Sequence, residues 1–366
     1  MPKIFPHILI TRYGIGVSSA DWYTYKARLF RSITLPSIAS QSREKFFWMI
    51  VIDSAIPPAS LAELSQAIQP YSFIHLVTLD TRDQPRMVHG GFSGIYERCQ
   101  QYLLARGLIE DPTDYVITSL IDDDDAWNRN VVSRIDRHVE EHSARLCATE
   151  SDSNRGFLIR HSVGLFMTFT NGILWDVASN RFQQVKQHPH SMSVFVFARF
   201  SSNVAACSVR HGSWHNYTSC VGFESHVIDE ADVEGQPMWI YLRHPRAISQ
   251  IPGPSTGDLV DVSMLERFRS FFAIDTVALA EYKKSIETKG EHHSGSPDEA
   301  KFELLDLQFR IAAYRKQIEC LSTELINWPV QGLTEEFLRL QYLKNSAVEK
   351  LSGLTSRFSS VSALQS

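Results

Sequence analysis

Four uninterrupted apolar runs of strand length, spaced through the first 121 residues, constrain the fold of this chain more than any other feature. They are Ile8-Leu9-Ile10, Phe46-Phe47-Trp48-Met49-Ile50-Val51-Ile52, Phe73-Ile74-His75-Leu76-Val77 and Tyr115-Val116-Ile117-Thr118-Ser119-Leu120-Ile121. A strand with one face in water alternates apolar and polar residues, whereas a continuous apolar run is covered on both faces. Helical spacing fills the intervals: Ala27 to Ile38, then Leu61, Leu64 and Ile68 behind Pro57-Pro58, then Ile95, Cys99 and Leu103 ending at Gly107. The β-α-β-α-β-α-β succession predicts an α/β domain with a mostly parallel, doubly wound sheet and helices on both faces. Such sheets bind ligands at the carboxyl ends of their strands.

The last run opens directly onto Asp122, Asp123, Asp124 and Asp125. Adjacent carboxylates raise one another's pKa unless something positive sits among them, and a hard divalent cation with oxygen ligands is the usual remedy. Mn²⁺ or Mg²⁺ carrying a diphosphate is therefore the leading reading. The competing one is a solvated acidic loop or an N-cap for the helix predicted on Val131, Ile135 and Val139, although one aspartate suffices for a cap. Thr11, Arg12 and Tyr13 leave the first strand at the same edge, where Arg12 can pair with a phosphate or form a surface ion pair.

Composition narrows the classes. Against 36 basic residues stand 41 acidic ones, net −5, with no long basic block, which speaks against a nucleic-acid partner. Five cysteines without Cys-x-x-Cys spacing suggest neither a zinc ribbon nor a disulfide framework, and a reducing compartment fits. With no signal-like leader and no apolar window of ~18 residues, the expected location is cytoplasmic, with peripheral association at the inner face of a membrane left open.

Past residue 145 the pattern changes to short strands of a mixed or antiparallel kind. Leu165 to Thr170 and Ile173 to Trp175 flank Asn171-Gly172, a strong hairpin signal, and Val194 to Ala198 reads as a further strand. Residues 1–257 are taken as one domain and 258–366 as a helical extension, with a linker at about 287–296. A heptad-like helix is expected at about 297–327 on Leu304, Leu307, Ile311, Tyr314, Ile318, Leu321 and Leu325. A second at about 334–358 completes a helical hairpin that either packs on the domain or joins two copies as a homodimer.

Arg28, Leu35-Pro36-Ser37-Ile38, Gln41, Phe46, Asp53, Pro57-Pro58 and Leu120-Ile121-Asp122-Asp123-Asp124-Asp125-Ala126 together resemble the GT-A glycosyltransferases, and more narrowly the bacterial family described as putative rhamnosyltransferases. The likeness spans roughly residues 5 to 250. It implies a metal-dependent transfer of a sugar, such as rhamnose, from a nucleotide-diphosphate donor to a glycan, lipid-linked glycan or other hydroxyl acceptor. Asp122 and Asp124 match the Asp-x-Asp motif, with Asp124 as the direct metal ligand and Asp122 nearer the ribose or a metal-bound water. Asp53 would meet the base or simply cap the next helix, and Thr11, Arg12, Tyr13, Arg86 and Asp123 complete the expected nucleotide-sugar contacts. A late histidine often closes the metal sphere of such enzymes, and His215, then His211, is the choice, each with a structural alternative. An inverting reaction also needs a carboxylate base, for which Glu224, Asp229 and Glu230 are in a plausible segment and nothing in their spacing selects one. His188-Pro189-His190 resembles a metal pair but suits a loop as well. The rival classes are a sugar nucleotidyltransferase, for which Gly14-Ile15-Gly16 is a poor phosphate loop, and a non-catalytic protein binding divalent cations or carbohydrate, for which EF-hand spacing is absent.

Overall fold

The computed structural model describes residues 4–15, 20–41, 45–79, 93–151, 164–177, 179–186, 193–201, 205–207, 224–228, 236–244 and 257–281, with scattered helical positions between 322 and 360. The expected linker and most of the two C-terminal helices lie outside the described residues. All four apolar runs form strands: β1 (His7–Tyr13), β2 (Phe46–Asp53), β3 (Ile74–Leu79) and β4 (Tyr115–Leu120). They are parallel neighbours in the order β3-β2-β1-β4. Between them run α1 (Ala20–Leu29) and α2 (Leu35–Ala39), then α3 (Pro58–Ile68), then α4 (Ser93–Ala105).

Period-two alternation explains why these strands are apolar throughout. Leu9, Trp48, Ile50 and Ile117 face a core shared with α1 to α3 and with α5 (Val131–Ser151), whereas Ile8, Ile10, Met49, Val51 and Val116 face α4 through Ile95, Cys99 and Leu103. Helix α4 ends as expected at Gly107, whose φ of +64° is one that glycine adopts without penalty.

The helical pattern read at Ala27 to Ile38 is one continuous segment from Ala20 to Ala39 interrupted by a π-helical turn, Phe30–Thr34. Pro36 causes it: the residue has no N–H for the carbonyl of Ser32, which accepts instead from the backbone N–H of Asp275 at 2.8 Å. The chain after residue 257 is thereby tied to the first helix. Helix α6 (Val262–Phe272) is docked too, burying Phe268 and Phe272 against Leu29, Ile33 and Trp175.

The second half is mixed, as its short strands suggest. β9 (Val194–Arg199) runs antiparallel beside β4, followed outward by β6 (Leu165–Thr168) and the edge strand β10 (Glu224–Val227), completing a seven-stranded sheet among the described residues. A second sheet has the order β12-β8-β7-β11-β5, with β5 (Ala126–Trp127), β7 (Asn171–Asp176), β8 (Arg181–Lys186), β11 (Trp239–Arg243) and β12 (Asp258–Leu259).

One expectation is corrected. Leu165 to Thr170 and Ile173 to Trp175 do not pair as a hairpin: β6 belongs to the first sheet and β7 to the second, and Asn171-Gly172 opens β7 instead of forming a turn. The glycine answers a packing need, because a Cβ there would lie 2.2 Å from the indole of Trp239, itself fully buried. Gly172→Ala is expected to destabilise the protein by about 1–3 kcal/mol through this overpacking, read as a lowered urea midpoint with the m-value unchanged. An unchanged midpoint would return Gly172 to a conformational role.

Candidate active site

Parallel pairing brings the chain's candidate residues to one edge. Ile10 pairs with Leu120 and Tyr13 with Ile52, so the segments after β1, β2 and β4 leave the sheet side by side. Arg12, Asp53 and the four aspartates therefore meet at the carboxyl end of the parallel strands, although they are far apart in sequence. The aspartates occupy the tight connection from β4 to β5, which carries the chain from the first sheet to the second.

Lys26 of α1 is the hub of this connection. Its ammonium lies 2.6 Å from Oδ1 of Asp123 and 2.6 Å from Oδ2 of Asp124, with all three side chains about nine-tenths buried or more. Nε2 of His244, the residue following β11, lies 2.7 Å from the same Oδ2. The far nitrogen of that ring, Nδ1, is 3.0 Å from the Tyr25 hydroxyl. A tautomer with Nε2–H donating to Asp124 and Nδ1 accepting from Tyr25 satisfies both contacts. Asp122, the most exposed of the four, takes its Arg12 partner through Oδ1 at 3.1 Å. Asp125 is fully buried, and its Oδ1 accepts the backbone N–H of Leu242 at 2.9 Å while its Oδ2 has no partner among the described residues.

The electrostatics follow from these contacts. Burial alone pushes the Asp124 carboxyl up, but Lys26 and His244 outweigh it and hold the group well below the usual carboxylate range. Burial would likewise lower the Lys26 ammonium, and the two carboxylates more than reverse that, so Lys26 is charged. Asp123 is pushed up to about 7, by burial against the opposing pull of Lys26. Asp125 is raised well above the ordinary value by burial and by Asp124 and Asp122. For His244 burial wins over the carboxylate contact, lowering the ring's pKa and keeping it neutral. Among the described residues, four carboxylates face two cations, Lys26 and Arg12, and the raised pKa values of Asp123 and Asp125 reflect burial and then that imbalance.

The Leu35-Pro36-Ser37-Ile38 and Gln41 residues hold this connection from beneath. Gln41 Nε2 donates to the carbonyls of Ser37 (3.1 Å) and Asn128 (2.9 Å), and its Oε1 accepts from the N–H of Val132 at 3.3 Å. Asn128 Nδ2 in turn donates to the Pro237 carbonyl. The chain leaving the aspartates is thus fixed to α2, to the start of α5 and to the approach to β11.

The other expected residues fall into three groups. Thr11 is buried and accepts from the Trp48 indole at 2.9 Å, and Tyr13 is buried against Tyr23 and Phe30, its hydroxyl pKa raised first by burial and then by Asp123. Asp53, also buried, accepts the N–H of Ala55 at 2.9 Å and so closes the turn after β2. Glu224 stands on β10, three strand positions or about 14 Å from β4, 3.3 Å from His226 Nε2. Arg86, His188, His190, His211, His215, Asp229 and Glu230 lie outside the described residues. Lys26 and His244 were not anticipated. The signal for Lys26 is a lysine sharing one helix face with Tyr23, Ala27 and Phe30, and for His244 a histidine closing the short apolar strand Trp239–Arg243.

The family described as putative rhamnosyl transferase matches residues 17–228, more than half of the 366-residue chain. No curated protein matches significantly. Among solved structures, S. aureus TarS residues 1–349 in complex with UDP-GlcNAc shares 10% identity over 84% of this chain and 71% of that one, with a TM-score of 0.36. Mouse xyloside xylosyltransferase 1 in its apo form shares 13% identity over 61% of this chain and 78% of that one, with a TM-score of 0.24.

Removing one partner from a buried ionic group leaves the others uncompensated, at a cost of about 3–5 kcal/mol. Lys26→Met is expected to lose stability on that order in urea unfolding, and adding Asp123→Asn should recover part of it. A Lys26→Met midpoint equal to the wild type would show that the lysine is not the counter-ion of the cluster.

Proposed function

This chain belongs to the putative rhamnosyl transferase family and is a glycosyltransferase, and from that premise we propose that its aspartate cluster holds the diphosphate of a nucleotide-sugar donor through a divalent cation. One observation carries the reading. Lys26 and His244 both engage Oδ2 of Asp124, and Arg12 engages Oδ1 of Asp122, so Oδ1 of Asp124 and Oδ2 of Asp122 keep their lone pairs without a partner among the described residues. These are the two carboxylates of the Asp-x-Asp pattern. Hard carboxylate oxygen donors suit Mn²⁺ or Mg²⁺, and Asp124 and Asp122 would hold it. When bound, such an ion supplies positive charge against the diphosphate that leaves as the glycosidic bond forms.

The chain's own residues do the positioning. The contacts of Lys26 and His244 fix the Asp124 carboxylate before any ligand arrives, an arrangement that costs no reorganisation during the reaction. Arg12 orients Asp122 and keeps its Nε without a partner among the described residues, a donor suited to a phosphate oxygen. Asp53 stands at the end of the neighbouring strand, on the side where the nucleoside would extend. The transferred sugar is rhamnose on this reading, and the acceptor is a hydroxyl of a glycan or lipid-linked glycan precursor on the cytoplasmic side. No helix among the described residues is long and apolar enough to cross a membrane.

Thermal unfolding with Mn²⁺ or Mg²⁺ and a panel of UDP, GDP, dTDP and CMP tests the proposal. A nucleotide present at 100 times its dissociation constant adds about 2.7 kcal/mol of stability. One nucleotide is expected to stabilise the wild type in a metal-dependent way, with the effect absent in Asp124→Asn and transfer activity reduced roughly 100-fold or more. Equal stabilisation of wild type and Asp124→Asn would refute the assignment.

A further inference from the structure

Away from the aspartates, three histidines converge where α5 meets the edge strand β10. His138 and His142 are one turn apart on α5, and His226 lies on β10, 88 residues from His138. One ring nitrogen from each lies within 4.8 Å of the other two. The rings touch pairwise, with centroids 4.3 Å apart for His138 and His142, 5.0 Å for His138 and His226, and 4.7 Å for His142 and His226. All three are half-buried, within reach of an ion from solvent.

The second hydrogen bonds of the rings decide which atoms are available. His142 Nδ1 is 2.8 Å from the carbonyl of His138, which can only accept, so this nitrogen carries the proton and Nε2 keeps a lone pair. His226 Nε2 is 3.3 Å from the Glu224 carboxylate, so that nitrogen is the donor and Nδ1 keeps the lone pair. His226 Nδ1 accepts from the Nε2–H of His138 at 2.9 Å, so an ion bound between these rings replaces that hydrogen bond and leaves the His138 proton on Nδ1. A metal-binding histidine typically gives its other N–H to a carbonyl or a carboxylate, and both kinds of partner are present. Zinc–nitrogen bonds of 2.0–2.1 Å place tetrahedral ligand nitrogens about 3.3 Å apart, so small ring rotations with a change of the His138 tautomer bring the three rings into range.

We infer that His138, His142 and His226 form a binding site for a borderline transition-metal ion, zinc in particular, oriented by Glu224 and separate from the aspartate cluster. Three neutral imidazoles with a fourth position for water suit Zn²⁺, and nitrogen donors discriminate against Mg²⁺. The bound ion ties the middle of the helix that follows the aspartates to the outermost strand of the seven-stranded sheet. Because the ligands come from well-separated parts of the chain, metal affinity adds directly to the stability of the folded state.

The test uses the full chain, stripped with chelator and titrated with Zn²⁺ by calorimetry in excess Mg²⁺, with Co²⁺ in place of Zn²⁺ for a visible spectrum. One equivalent of Zn²⁺ should bind, and Co²⁺ should give the absorption of a nitrogen-rich, low-coordinate site. His142→Ala and His226→Ala should each weaken binding at least about 100-fold, Glu224→Gln about 10-fold, and Asp124→Asn not at all. If His226→Ala fails to fold, His142→Ala on the helix surface decides alone, its metal-free melting curve serving as the control. No binding by the wild type, unchanged binding in His142→Ala, or binding lost only in Asp124→Asn would each overturn the inference.

Discussion

The buried contact of Lys26 with Asp123 and Asp124 is the constraint on which the rest of the site depends. The turn from β4 to β5 must carry four consecutive carboxylates out of one sheet and into the other, with three of them nearly or wholly out of water. Undiluted, that charge would be prohibitive in a medium of low polarity. A single ammonium placed between two of the groups, with a neutral imidazole donating to one, makes the turn tolerable and leaves a preset carboxylate face. Lys26 is held by α1, His244 by β11 and the aspartates by β4, so the site is assembled only when both sheets and the first helix are in place.

That dependence explains features of the fold that otherwise look incidental. The π-helical turn at Phe30–Thr34 follows from Pro36, and the freed carbonyl of Ser32 ties Asp275 to the helix that carries Lys26. The Gln41 side chain fastens the same helical segment to the chain just after the aspartates. Asp125 contributes through Leu242, two residues before His244, pinning β11 to the motif. Ser37 and Gln41 of the resemblance pattern thus serve to hold the segment just after the aspartates in place.

Much of this was legible in the sequence. Continuous apolar runs announced the buried strands because burial on both faces leaves no polar alternation, and the position of Asp122 to Asp125 behind one of them placed the aspartate cluster at a carboxyl edge. What stayed hidden was pairing across distance. Lys26 lies 98 residues from Asp124 and His244 lies 120 residues from it, and nothing local marks either as a partner. Asn171-Gly172 misled for a related reason: a turn and a close approach by Trp239 both call for glycine, and only the second sheet reveals which applies. Likewise Glu224, considered as a base, stands at the edge strand beside His226, among groups with the chemistry of a metal site.

The most direct test of the central claim is anomalous diffraction at the manganese edge from crystals soaked with Mn²⁺ and the nucleoside diphosphate that stabilises the protein. A manganese peak between the carboxylates of Asp122 and Asp124 and the diphosphate is expected, with Lys26 still against Asp123. A nucleotide bound at another edge of the sheet, or a diphosphate contacted by Lys26 with no metal at the aspartates, would contradict it.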